Sequence, residues 1–172
     1  LYESLVCAIL EQQVSFNFAG QVKAALVARY GAQVEFDGAR YAVFPHPERL
    51  AQATQQELRQ LKISGQKAVY LRGLAEAALT GCLQLDGMPA ATELLAYKGV
   101  GPWTASYVLL RACGARDALP SQDVGLLKAA RRHLRMRGEV TPARLDRRLK
   151  PFAGWRGYVT WYLWHTEWED PG

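Results

Sequence analysis

Cysteine is scarce in this sequence. Cys7, Cys82 and Cys113 stand far apart and share no metal-ligand spacing, so no metal site is expected from them. Each lies in an apolar helical context, where free cysteine is commonly buried. Three buried free thiols in a reducing cytoplasm are therefore expected. No apolar run is long enough to form a membrane-spanning helix, so no membrane partner is expected. There is no signal-peptide pattern, no internal repeat and no low-complexity tract. Runs with strand periodicity are few. The chain opens at Leu1 without an initiator Met, inside an amphipathic pattern, and the native protein is expected to extend further upstream.

The remaining composition is that of a globular protein: 49% hydrophobic and 22% charged residues. A length of 172 residues suffices for one domain or two small lobes. The formal net charge is +5 and is unevenly spread. Thirteen Lys/Arg and four Asp/Glu lie between Lys98 and Arg156, whereas the rest of the chain is net acidic. Such a basic half is the footprint of a polyanion-binding surface. It is equally the pattern of a solvated, charge-rich helical face.

Helical signals dominate. Leu1, Leu5, Ile9 and Leu10 predict a helix over 1–13. Ser15 caps a second helix running to Arg29, ended by Gly31. Asp37-Gly38 between β-formers predicts a small hairpin or a plain loop over 34–44. Pro47 starts a helix, and Thr54-Gln55-Gln56-Glu57 is a capping box opening the next. Ser64 caps a longer one ended by Gly81. Pro89 begins a helix reaching Tyr97. Pro102 is placed at the first position of another, stopped by Gly114. Asp123 caps a helix to Leu134, Thr141-Pro142 starts one to Lys150, and an aromatic helix follows Gly157. The fold class expected is all-α, about ten short helices with little or no β structure.

Two segments carry chemistry. Lys98-Gly99-Val100-Gly101-Pro102 joins two predicted helices. Its glycines permit a tight turn and close approach of another molecule. The N–H groups of the loop and the following first turn suit a phosphate. A compact turn between helices would look the same. Further on, Asp123 precedes an apolar helix, which by itself reads as an N-cap.

The wider string Leu94-Leu95-Ala96-Tyr97-Lys98-Gly99-Val100-Gly101-Pro102-Trp103-Thr104-Ala105 resembles the hairpin of the helix-hairpin-helix (HhH-GPD) DNA glycosylase superfamily. Leu119-Pro120-Ser121-Gln122-Asp123-Val124-Gly125-Leu126-Leu127-Lys128 resembles its catalytic segment. The resemblance spans nearly all of 1–172. It implies a two-lobed helical fold, with the helix-hairpin-helix at about 89–113 and a lobe boundary near 84–89. It also implies that Lys98, Gly99, Val100, Gly101 and Thr104 meet the DNA backbone and that Asp123 is the essential carboxylate. In that family, loop carbonyls often also hold a monovalent cation.

The branch follows from residue types. Bifunctional members carry a nucleophilic Lys after the hairpin glycines; the matching residue here is Trp103. The iron–sulfur branch needs four closely spaced C-terminal cysteines, and none exist, so no cluster is expected. What remains is similar to the 3-methyladenine DNA glycosylase II (AlkA-like) group. Trp103 and Tyr107 share a helix face. Trp161-Tyr162-Leu163-Trp164-His165-Thr166-Glu167 resembles that group's C-terminal aromatic segment. Trp103, Tyr107, Trp164 and His165 would then line a pocket for a flipped cationic base, whereas Trp161 and Tyr162 read as core. His165 stands where a Tyr is common. Ala8-Ile9-Leu10-Glu11-Gln12-Gln13-Val14-Ser15 resembles the segment that enters the duplex, with Gln13 at the wedge position.

The resemblance thus implies a monofunctional glycosylase for alkylated bases in double-stranded DNA. It would need no cofactor and act as a monomer at a bacterial nucleoid. The alternatives are a DNA-binding module without catalysis, and a glycosylase for uracil, hypoxanthine or oxidised purines.

Overall fold

The computed structural model describes residues 1–84 and 87–169, with side chains through 166. The chain forms two compact units, Leu1–Val100 and Gly101–Gly172. The division falls inside the glycine loop. The boundary expected near 84–89 includes Leu85 and Asp86, which lie outside the described residues.

The first unit holds α1 (Tyr2–Glu11), α2 (Phe16–Tyr30), β1 (Gln33–Phe36), β2 (Ala39–Ala42), α3 (Pro47–Gln52), α4 (Gln55–Gln60), α5 (Gly65–Leu79) and α6 (Ala91–Leu94). The predicted caps form. Ser15 Oγ accepts the Phe18 N–H at 3.3 Å and Ser64 Oγ accepts the Lys67 N–H at 3.3 Å. Thr54 and Glu57 close a reciprocal capping box. Helix α5 packs against α1, α3 and α4. Leu5, Ile9, Leu26, Leu50, Leu58, Leu71, Leu74 and Leu94 are fully buried in this unit. Residues 33–42 form an antiparallel hairpin pairing Gln33 with Ala42 and Phe36 with Ala39. Positive φ at Asp37 and Gly38 is what the favoured two-residue hairpin turn requires.

The second unit holds α7 (Pro102–Cys113), α8 (Val124–His133), α9 (Pro142–Leu149), a 3₁₀ turn (Lys150–Phe152) and α10 (Arg156–Glu169). Its core joins Leu110, Leu126, Ala129, Ala130, Val140, Leu145, Leu149, Leu163 and Trp164. Gly114 closes α7 in a left-handed conformation.

Three expectations need correction. The helix predicted over Pro89–Tyr97 is a single turn, Ala91–Leu94. Ala90 offers no capping side chain, and the bonds Ala96 N–H to Glu93 O and Tyr97 N–H to Leu94 O tighten the chain out of the α-helix. No disulfide joins the cysteines, but Cys82 is exposed, just past the end of α5, and Cys7 and Cys113 are only half-buried. Tyr162 is 72% exposed rather than core, because α10 turns Thr160, Leu163 and Trp164 inward instead.

Asp117 ties the start of α10 to the loop after α7. Its carboxylate accepts the Gly154 N–H (2.8 Å), the Arg156 N–H (3.2 Å) and Arg156 Nε (2.7 Å), and Arg156 Nη2 completes a bidentate pair. The Arg156 guanidinium, foremost, holds the Asp117 carboxyl down at about 2, against an ordinary 3.8. The folded value lies below the unfolded one, so this stabilisation is present above the unfolded value and fades as pH falls through the folded one. Thermal melts of the wild type should lose stability across that window. Asp117→Asn should melt lower at neutral pH and respond less to acid there. The difference will be small, because both partners are about one-third exposed.

Candidate functional site

Asp123 is the N-cap of α8, and its Oδ1 accepts the Leu126 N–H at 2.7 Å. The cap reading of the sequence is thus correct as far as it goes, and the side chain does more. Trp164 Nε1 donates to Oδ1 at 3.1 Å and Trp103 Nε1 donates to Oδ2 at 3.1 Å. Three donors hold one half-buried carboxylate. Oδ1 takes two of them and Oδ2 one, which leaves Oδ2 further accepting capacity.

The donors belong to an aromatic cluster. Trp103 and Tyr107, one turn apart on α7, stack with centroids 4.9 Å apart and rings inclined by 25°. Tyr107 meets Trp164 edge-on at 5.7 Å, and Trp161 braces Trp164 at 5.6 Å. The Arg111 guanidinium lies 5.4 Å from the Tyr107 ring and 5.3 Å from the Trp161 ring. A carboxylate beside aromatic faces is suited to a cationic, planar group. Such a carboxylate also stabilises positive charge developing on a bound molecule.

Of the four residues expected around the pocket, the structure brings together Trp103, Tyr107 and Trp164. His165 is exposed, because its neighbour Trp164, 7% exposed, takes the inward face of α10. Thr104, expected at the DNA, is only 1% exposed, backbone and side chain together, and is closed off from a ligand.

In the first unit, Lys98 is exposed and Gly99 has φ +88°. A Cβ at Gly99 would lie 2.3 Å from Cδ2 of Tyr70. The Gly99 carbonyl accepts Gln12 Nε2 at 2.8 Å. Lys67 Nζ in turn donates to the carbonyls of Leu10 (2.9 Å) and Gln12 (2.7 Å). Burial pulls its ammonium below the usual lysine value. The turn after α1 is therefore bolted on two sides. It carries Gln13, exposed and at φ +55°, a conformation few non-glycine residues adopt. Gly101, at φ −95°, is different: a Cβ there would meet nothing within 4 Å. Its missing side chain is not needed by the fold.

Three site residues escaped the sequence. Gln12 and Lys67 look like ordinary polar helix positions, and only their long-range bonds reveal them. Gly125 looks like a helix-weakening glycine, but a Cβ there would lie 3.2 Å from Asp123 Oδ1. The basic run has a defined place too. Lys128, Arg131, Arg132, Arg135 and Arg137 line an open depression at the C-terminal end of α8, where cations suit the helix dipole. Asp123 stands at the other end, about 15 Å away along the helix.

Comparison with known proteins gives a consistent result. Residues 6–153 match the model of the HhH-GPD superfamily base excision DNA repair proteins. The chain is 32% identical over 172 residues to a DNA-3-methyladenine glycosylase of Bacillus subtilis (strain 168), covering 96% of this chain and 57% of that protein. It is 36% identical over 174 residues to DNA-3-methyladenine glycosylase 2 of Escherichia coli (strain K12), covering 99% and 59%. Among solved structures it is similar to the 3-methyladenine DNA-glycosylase from Archaeoglobus fulgidus, with a TM-score of 0.85 and 30% identity over 98% of this chain and 58% of that one. The chain thus spans under two thirds of the length of these relatives.

The glycines separate by role. Gly99→Ala should destabilise the protein by more than about 2 kcal/mol, from the ring clash and the positive φ together. Gly101→Ala should cost only about 1 kcal/mol or less, the loss of a favoured N-cap residue without a steric clash. Equal losses in the two variants, measured by chemical denaturation, would contradict this division.

Proposed function

The chain belongs to the HhH-GPD superfamily of base excision DNA repair proteins, and from that premise we propose that it is a monofunctional DNA glycosylase that removes alkylated bases from duplex DNA. The observation that carries this reading is the Asp123 carboxylate held by Trp103, Trp164 and the Leu126 N–H. DNA-3-methyladenine glycosylase is also the printed name of its Bacillus and Escherichia relatives.

In the proposed reaction the hairpin backbone holds a phosphate without reading sequence. The damaged nucleotide leaves the stack, and Gln13 fills the gap. The extruded base, cationic through alkylation, lies against Trp103 and Tyr107. Its C1′–N bond breaks with the electron pair going to the base, which departs neutral. Asp123 stabilises the positive charge left on the sugar. Water then bonds to C1′, and Oδ2 orients it and accepts its proton. An alkylated purine leaves without prior protonation, so one carboxylate suffices and no cofactor is required.

Trp103 occupies the position where lyase-active members carry lysine, so no Schiff base forms. A monovalent cation at the hairpin would rest on loop carbonyls. Those of Tyr97 and Gly99 accept the Val100 N–H and Gln12 Nε2, and each keeps a second lone pair that could face such an ion. The protein acts as a monomer in this scheme.

Base release from randomly methylated duplex, resolved by chromatography, tests the proposal. The wild type should release 3-methyladenine and 7-methylguanine. Asp123→Asn should reduce the rate by about 10²-fold or more while duplex binding persists. Undiminished release by Asp123→Asn would remove the carboxylate from the mechanism, and a borohydride-trapped adduct would overturn the monofunctional assignment. Duplex affinity should fall steeply with added salt.

A further inference from the structure

Phe16 is the most exposed large apolar side chain among the described residues, at 82%. Its position makes this exposure unusual. Phe16 opens α2 and continues the stripe formed by Ala19, Val22, Leu26 and Tyr30, all of which are buried. The stripe therefore runs past the edge of the core and leaves its first ring in solvent. Side chains lean toward the N-terminus of their helix, so the ring projects over the turn that carries Gln13. Val14, in the same turn, is also exposed.

That turn is not a loose tip. Lys67 fixes its entry through the Leu10 and Gln12 carbonyls, Ser15 caps its exit, and Gln12 joins it to the Gly99 carbonyl of the hairpin loop. The Gly99 carbonyl and the turn that leads into Phe16 are thus held as one piece within the first unit. We propose that Phe16 is a second wedge: its ring enters the minor groove beside Gln13 and packs on the unstacked base step left by the flipped nucleotide. Gln13 supplies polar contacts to the orphaned base, and Phe16 supplies the apolar surface that keeps the step open. This inference rests on the proposed duplex substrate.

Phe16→Ala removes a ring with little intramolecular packing, so its melting temperature should match the wild type. On methylated duplex its kcat/KM for base release should fall about tenfold, the loss of one base–aromatic stack. On the same methylated strand left unpaired its rate should stay within about twofold of the wild type, because no stack has to be opened there. Phe16→Trp should retain duplex activity. With 2-aminopurine next to the lesion, the fluorescence rise on binding should shrink in Phe16→Ala. Wild-type behaviour of Phe16→Ala in both duplex measurements would overturn the proposal, as would equal losses on duplex and single strand. If the wild type released no base, the glycosylase reading would fail, while the 2-aminopurine signal would still decide the role of Phe16.

Discussion

Two indole N–H groups and one backbone N–H converge on the carboxylate of Asp123, and much of the second unit is arranged to keep them there. The core under α8, α9 and α10 holds Trp164, and Trp161 packs edge-on against its ring. The start of α7 fixes Trp103, and Tyr107 buttresses its ring. Gly125 leaves room for the oxygen atoms. A buried or half-buried carboxylate needs partners. Here those partners are neutral, so the negative charge is positioned without being cancelled by a cation among the described residues.

The first unit follows a different logic. Its turn combines unusual backbone with side-chain donors: a left-handed glycine, a left-handed glutamine, and the Gln12 amide and Lys67 ammonium that bind backbone carbonyls around them. The basic residues, which composition alone would place at such a site, are concentrated instead at the far end of α8. On the proposed function, charge-based attraction and precise placement would be supplied by different parts of the sequence.

Much of this was legible in the sequence where the determinants are local. Ser15, Thr54, Ser64, Asp123 and Thr141 each announce a helix start, and each caps one. The pairing of Trp103 with Tyr107 follows from helical spacing. The convergence of Trp164 on Asp123 across 41 residues has no local signal, and only the family resemblance pointed toward it. Residues sit elsewhere than expected where a neighbour won the competition for the interior. Adjacent residues on a helix point about 100° apart, so burying Trp164 puts His165 outside, and burying Leu163 puts Tyr162 outside. Thr104 faces inward for the same geometric reason. The one-turn α6 was hidden because a starting proline signals where a helix begins and not how far it runs.

The bolted turn after α1 bears on how fast a repair protein can read DNA. A disordered probe would have to lose its conformational freedom at each site it tested, and that entropy would be forfeited again at every undamaged one. Gln13 is already held in its left-handed shape by Lys67 and Gln12. The ordering is done once, during folding, and each encounter with a base pair then costs only the deformation of the DNA. On the proposed function, discrimination would come to rest on the mechanical softness of the damaged step, which the protein tests with a rigid tool.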